Sequence, residues 1–427
     1  MAQILITGGR VLDPASNTDK VLDVAIDNGV IAAIGAKLPQ PAGCTMIDAR
    51  GCLVTPGLID PHVHLREPGH EHKETIATGT RAAIAGGFTS VCCMPNTSPA
   101  LDSPESMRFV YDRAAHAGMC RVFPVAAATK GRKGEELAEI QLLASSGAVA
   151  FSDDGDCVAS AGMMGRIFTH VASTGRAFMQ HCQDPTMTRG AAMHAGAIAS
   201  RLGLGGWPRE AEEIIVERDV RLARKSKARY HVQHISSAET IDIIRRARAT
   251  GVEVTGEATP HHLHLTHDVC DGYNTMGKVN PPLREQRDVE ALRLGIADGT
   301  ITVLGTDHAP HSQDEKALPF EEAPFGFVGL ESALPLYAEA LVATGLISWA
   351  RLIALLTIEP AKLCGLDVSG LGKLAVGGPA DVTVIDPDAS WTLSKETLAG
   401  RSWNTPFLGR VMKGRAKHTI VAGLVRK

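Results

Sequence analysis

Through the middle of the chain, short apolar runs alternate with stretches of helical period. The runs that read as core strands are residues 58–65, 89–94, 122–127, 148–152, 177–182, 229–235, 252–257 and 302–305. Between them lie helical stretches such as 77–85, 103–117, 135–145, 211–225, 238–249 and 288–297. Alternating strands and helices predict parallel strands with crossover helices, and eight is the strand count of a closed (β/α)8 TIM barrel. An open doubly wound sheet is the competitor, but no G-x-G-x-x-G follows an early strand. The two ends have another texture. Short alternating segments at 3–7, 21–27 and 30–34, and again at 380–386 and 418–422, are separated by Gly, Asn and Pro. They predict a small β-sandwich-like domain built from both termini, at 1–53 and 368–427, with the barrel over 54–367.

Composition narrows the class. Hydrophobic residues make up 44% and charged residues 21% of 427, which argues against a disordered chain. The net charge of −4 leaves no basic excess for nucleic acid or anionic lipid. No apolar run of about 18 residues is present, so no membrane helix is expected. The opening MAQILITGGR lacks a basic n-region and a long apolar h-region, so it reads as a first strand rather than a signal peptide. Nine Cys, scattered and without C-x-x-C, read as reduced thiols of a cytoplasmic protein. The unusual number is 17 His, nearly equal to the 18 aromatics, and histidine is the commonest metal ligand.

Position gives those histidines meaning. In such a barrel the site is built where strands end. The first predicted strand ends Asp60-Pro61-His62-Val63-His64-Leu65-Arg66, the fourth Ser152-Asp153-Asp154-Gly155, and the fifth Gln180-His181-Cys182. The sixth ends Gln233-His234, and the eighth Gly305-Thr306-Asp307-His308. His62 and His64 are two apart and so share a face. One H-x-H is a weak signal, but His181, His234, Asp153 and Asp307 stand independently at the same relative position. Imidazole with carboxylate suits zinc, or Mn, Fe or Co, rather than Mg or Ca. Two metals bridged by a carboxylate would use the whole set.

At these motifs the chain resembles the amidohydrolase superfamily, and within it the class I dihydroorotases. The resemblance rests on His62-Val63-His64-Leu65-Arg66-Glu67-Pro68-Gly69, Met94-Pro95-Asn96-Thr97, Phe151-Ser152-Asp153-Asp154-Gly155, Lys278-Val279-Asn280-Pro281-Pro282-Leu283-Arg284 and Gly305-Thr306-Asp307-His308-Ala309-Pro310-His311. It implies two zinc ions, with His62, His64 and Asp307 on one, His181 and His234 on the other, and Asp153 as the bridge. Lys130 is the one nearby lysine considered for a bridge, and a solvated or salt-bridged loop lysine is the better reading for it.

The substrate that the resemblance implies is dihydroorotate, a cyclic ureide with a free carboxylate. Arg66 projects into the same mouth as His64, and its planar fork matches a carboxylate. The family implies substrate contacts also from His64, Leu65, Asn96 and His311, with Asn280 and the backbone of Phe325-Gly326 on the ureide edge. The expected chemistry is metal-assisted hydrolysis of the ring amide and its reverse, which cyclises N-carbamoyl-L-aspartate toward pyrimidines. A metal lowers the pKa of water from 15.7 to about 7, and Asp307 is expected to take a proton and return it to the ring nitrogen. His70 and His72 read as solvated or lid residues, and His261, His262 and His264 as packing or loop residues. The long loops 256–283 and 310–326 are candidates to close over the site.

Two other readings compete. A hydantoinase or allantoinase would carry the H-x-H and the last Asp, with a bridging lysine and without the Arg-Glu-Pro-Gly and Met-Pro-Asn-Thr motifs. A catalytically silent scaffold for aspartate transcarbamoylase would have lost metal ligands. A homodimer or larger assembly, and aspartate transcarbamoylase as partner, are the expected associations.

Overall fold

Eight parallel strands close on themselves around the candidate site. In a computed structural model that describes residues 3–427, they are Leu58–Val63, Phe88–Cys93, Arg121–Pro124, Ala150–Phe151, Ala177–Gln180, Arg229–Val232, Val254–Ala258 and Val303–Leu304. Met1 and Ala2, the first residues of the expected small domain, lie outside the described residues. The first three strands form one parallel sheet and the last five another. Parallel bridges Ala126↔Phe151 and Val63↔His308 join the two sheets and complete the barrel. The eighth strand is short, and beyond it Asp307 takes a φ of +47° before His308 bridges back to the first strand.

Local chemistry explains the crossover helices. Thr75 caps the helix Ile76–Gly86 and Ser103 caps Pro104–Ala117, each accepting from a backbone N–H of its first turn. Gly87 and Gly118 end them with left-handed φ of +96° and +62°. The helix expected over 135–145 forms only at Ile140–Ser145. Its first residues fold back instead, with Thr129 bridged to Leu137 and Lys130 paired with Glu136. Inside the barrel Ile59, Cys92, Val125 and Met179 pack on Ala361, Leu363 and Cys364. The helix Ile358–Leu363 thus plugs the end where the strands begin, and the polar mouth lies at the other.

Both chain ends share a second, eight-stranded sheet. The strand Leu53–Pro56 joins them, parallel to Ile4–Asp13 and antiparallel to Val382–Thr392. Ile4, Ile6, Val24, Ile26, Val382, Val384 and Ile420 form its separate core. Gly57 alone links Leu53–Pro56 to the first barrel strand, and a Cβ there would meet Thr89 Oγ1 at 2.1 Å. Only glycine fits that corner.

Candidate metal centre and substrate pocket

His62 and His64 leave the first strand on one face, as period-two geometry requires, with ring centroids 5.4 Å apart. His62 Nε2 lies 3.5 Å from Asp154 Oδ1 and 3.6 Å from Asp307 Oδ1. His64 Nε2 lies 3.5 Å from Asp154 Oδ2 and 3.0 Å from Asp307 Oδ1. Across the mouth, His181 Nδ1 and His234 Nε2 stand 3.5 and 3.7 Å from Asp154 Oδ1. Asp154 is therefore shared between a His62–His64 group and a His181–His234 group, each with its ligand atoms within 4.8 Å of one another.

That arrangement corrects the expected bridge. Asp153 does not face the histidines: its Oδ1 accepts the N–H of Ala128 at 2.9 Å and of Thr129 at 3.1 Å, and its Oδ2 accepts the Thr129 hydroxyl. Successive residues at a strand end point to opposite sides, and the donors after the third strand claim Asp153. The carboxylate delivered to the imidazoles is Asp154.

The donor set fits a metal. His62 Nε2 and Asp154 Oδ1 are buried without a hydrogen-bond partner, although buried polar atoms are normally satisfied. Burial opposes ionisation of Asp154, but the surrounding imidazoles outweigh it and hold the carboxyl well below its ordinary range. Outer partners aim the ligands. His62 Nδ1–H donates to Glu257 Oε1 at 2.9 Å, and His64 Nδ1–H to Asn96 Oδ1 at 2.8 Å, which leaves each Nε2 lone pair facing the centre. His181 Nε2 meets Gln183 Oε1 at 2.8 Å, leaving Nδ1 inward. Arg66, His234 and Asp307 hold φ of +62°, +28° and +47°, a cluster of strained backbone at one mouth.

Beside this cluster opens a cavity of about 300 Å³ lined by His64, Arg66, Asn96, Asn280, His311 and Gly326, among others. Arg66 is buried, and its Nε donates to Pro310 O at 3.2 Å. Burial lowers its pKa to about 10, so it stays charged at neutral pH. His311 Nε2–H donates to Phe325 O at 2.8 Å. Asn280 Nδ2 donates to Gln183 at 2.9 Å, while its Oδ1 is buried without a partner. Gly326 takes φ +128°, and a Cβ would meet that of Ala309 at 2.6 Å.

The structure thus gathers His62, His64, His181, His234, Asp307, Arg66, Asn96, Asn280, His311, Phe325 and Gly326 around one mouth. It does not bring Leu65 there. Its side chain belongs to the core and packs toward Gly79, because strand alternation sends it opposite to its neighbours. Lys130 is exposed and paired with Glu136. His262 and His264 bond Pro281 O and Leu336 O, as loop residues do. Glu257 and Gln183 escaped sequence reasoning. Glu257 closes a predicted strand, so its position was a usable signal; Gln183 carried none.

A dihydro-orotase-like family model matches residues 51–240. Dihydroorotases of Pelobacter propionicus and Syntrophotalea carbinolica are 46% and 49% identical to this chain, covering 99% of it and 99% and 98% of their own lengths. Among solved structures, the L-hydantoinase (dihydropyrimidinase) from Arthrobacter aurescens superposes with TM-score 0.88 at 24% identity, covering 100% of this chain and 96% of that one. The D-hydantoinase (dihydropyrimidinase) from a Thermus species does so with TM-score 0.84 at 25% identity, over 99% and 94%. With a barrel mouth of clustered His and Asp side chains beside a buried arginine, and relatives alike over nearly the whole chain, the protein belongs to the dihydroorotase family of cyclic-amide hydrolases.

Proposed function

We propose that this chain interconverts N-carbamoyl-L-aspartate and (S)-dihydroorotate, a step of pyrimidine synthesis, in a zinc-dependent reaction. His62, His64 and Asp307 would hold one ion, His181 and His234 a second, and Asp154 would bridge them. Zinc bound there supplies Lewis acidity, which gives a nucleophilic water near neutral pH and a polarised ring carbonyl.

The chain's own residues do the rest. Arg66, with His311 and Asn96 beside it, presents a cationic fork to the substrate carboxylate. Asn280 Oδ1, buried and unpaired, is an acceptor for a ring N–H. Asp307 takes a proton from the attacking water and delivers it to the ring nitrogen as the C–N bond breaks; in the reverse direction it removes that proton as the ring closes with loss of water. The observation that carries this reading is the buried, charged Arg66 against the His/Asp cluster, since a carboxylate-bearing ring needs both. The nine free thiols support a reducing cytoplasm as its setting.

The test is turnover of dihydroorotate, carbamoyl-aspartate and hydantoin by zinc-loaded protein, with and without aspartate transcarbamoylase. We expect dihydroorotate to be opened and carbamoyl-aspartate cyclised, with both rates lost in Asp307→Asn at full metal content. Opening of hydantoin but not dihydroorotate would overturn the reading. Turnover only with aspartate transcarbamoylase present would make the same chemistry partner-dependent.

A further inference from the structure

Between the strands Val382–Thr392 and Val411–Val421, the chain leaves the terminal sheet and crosses the barrel mouth. It is fastened there at several points. The N–H groups of Ala399 and Gly400 donate to Glu331 Oε1 at 2.8 and 3.2 Å, and that of Arg401 to the Glu74 carboxylate at 3.3 Å. The Ser402 hydroxyl donates to Lys73 O at 2.6 Å. These contacts place Asn404, 2% exposed, directly behind the cavity wall.

The Asn404 carboxamide is fully used. Its Oδ1 accepts the His311 N–H at 3.0 Å, and its Nδ2 donates to Ala309 O and Gly326 O at 3.0 Å each. Its own carbonyl accepts the Val328 N–H at 2.9 Å. The loop after the eighth strand and the loop through Gly326 meet directly through the Ala309 N–H to Phe327 O bond at 2.7 Å, and Asn404, which does not itself line the cavity, adds three side-chain bonds that reach both His311 and Gly326. A carboxamide offers an acceptor and two donors on one carbon, and this corner demands that pattern. Gly326 O has one other partner, the Lys316 ammonium at 3.4 Å, so Asn404 is its shorter anchor.

We infer that Asn404 is a positioning residue for substrate binding: it sets His311 and Gly326 at the separation in which both meet the substrate. The inference rests on the dihydroorotate reading above. It assigns part of the site to a segment that connects two strands of the terminal sheet, so the small domain completes the barrel's pocket. Misplacing such a wall by about 1 Å is enough to lose about 100-fold in a reaction that depends on it.

The test compares Asn404→Ala and Asn404→Asp with wild type for KM, kcat, zinc content and Tm. Asp keeps shape and acceptor but turns a carboxylate oxygen toward two carbonyls, and it carries the test if Ala does not fold. KM for dihydroorotate should rise about 10- to 100-fold in both variants, with zinc content unchanged and kcat moving less than KM. A structural role alone would lower Tm and active fraction and leave KM in place; unchanged KM in either soluble variant overturns the inference. Wild-type protein that does not turn over dihydroorotate overturns the substrate reading as well, which separates the two failures.

Discussion

Asp153 and Asp154 are adjacent carboxylates with opposite tasks, and replacing each by Asn should separate them. In Asp153→Asn the perturbation falls on three donors held by a charge: the N–H groups of Ala128 and Thr129 and the Thr129 hydroxyl. A hydrogen bond to a charged group contributes about 1.5–3 kcal/mol and a neutral one about 0.5–1.5, so three bonds lose roughly 3 kcal/mol together. Against this, burial disfavours the Asp153 carboxylate and raises its pKa, and the amide is spared that desolvation. The net expectation is a loss of about 1–2 kcal/mol of stability with metal binding intact. In Asp154→Asn the order reverses. The buried Oδ1 has no hydrogen-bond partner to lose, but the surrounding imidazoles favour its charge, so the metal-free fold should lose some stability while the larger effect falls on metal. Metal affinity should fall by more than the 10–100-fold typical of outer-shell changes, because a shared ligand is removed. The assay is zinc per chain by mass spectrometry after gel filtration, beside urea unfolding of the metal-free proteins. Loss of zinc in Asp153→Asn at unchanged stability, with zinc retained in Asp154→Asn, would refute the assignment.

Glu257→Gln weakens the acceptor that orients His62, so zinc affinity should drop about 10–100-fold by competition with a chromophoric chelator; unchanged affinity would show that Glu257 does not aim the ligand. Lys316, 2% exposed, has its pKa lowered by burial, and then by the charge of Lys278, to about 7. An unfolded lysine titrates near about 10.4, so between these values the unfolded chain binds the extra proton and stability rises with pH. The penalty is full below about pH 7 and relieved by roughly 3 kcal/mol at about pH 9.5; Lys316→Met should flatten that rise in urea unfolding, and parallel pH curves would contradict it. Gly326→Ala puts a Cβ 2.6 Å from that of Ala309 at φ +128° and should destabilise by about 1–3 kcal/mol while raising KM; a variant with wild-type Tm and KM would mean that this wall is not rigid.

Much of the site was legible in the linear pattern, because strand geometry is local. Apolar runs separated by helical period gave the eight barrel strands, and their ends gave His62, His64, His181, His234 and Asp307, which the fold brings to one mouth. The period of two along the first strand put His62 and His64 on one face whatever the rest of the chain does. The same rule separates Leu65 from Arg66, yet the motif drew both toward substrate, and the core claimed Leu65.

What the tertiary structure decided lies where contacts are non-local. Which of two adjacent aspartates meets the imidazoles depends on donors from the loop after the third strand, and these claim Asp153 and free Asp154. Glu257 orients His62 across 195 positions of sequence. Asn404 reaches His311 across 93, from a segment whose local texture predicts only a loop between strands. Periodicity fixes which face a side chain takes, because backbone geometry repeats over two or three residues. The partner it meets on that face is set by barrel closure and by the packing of the terminal sheet across its mouth, and no local pattern records either.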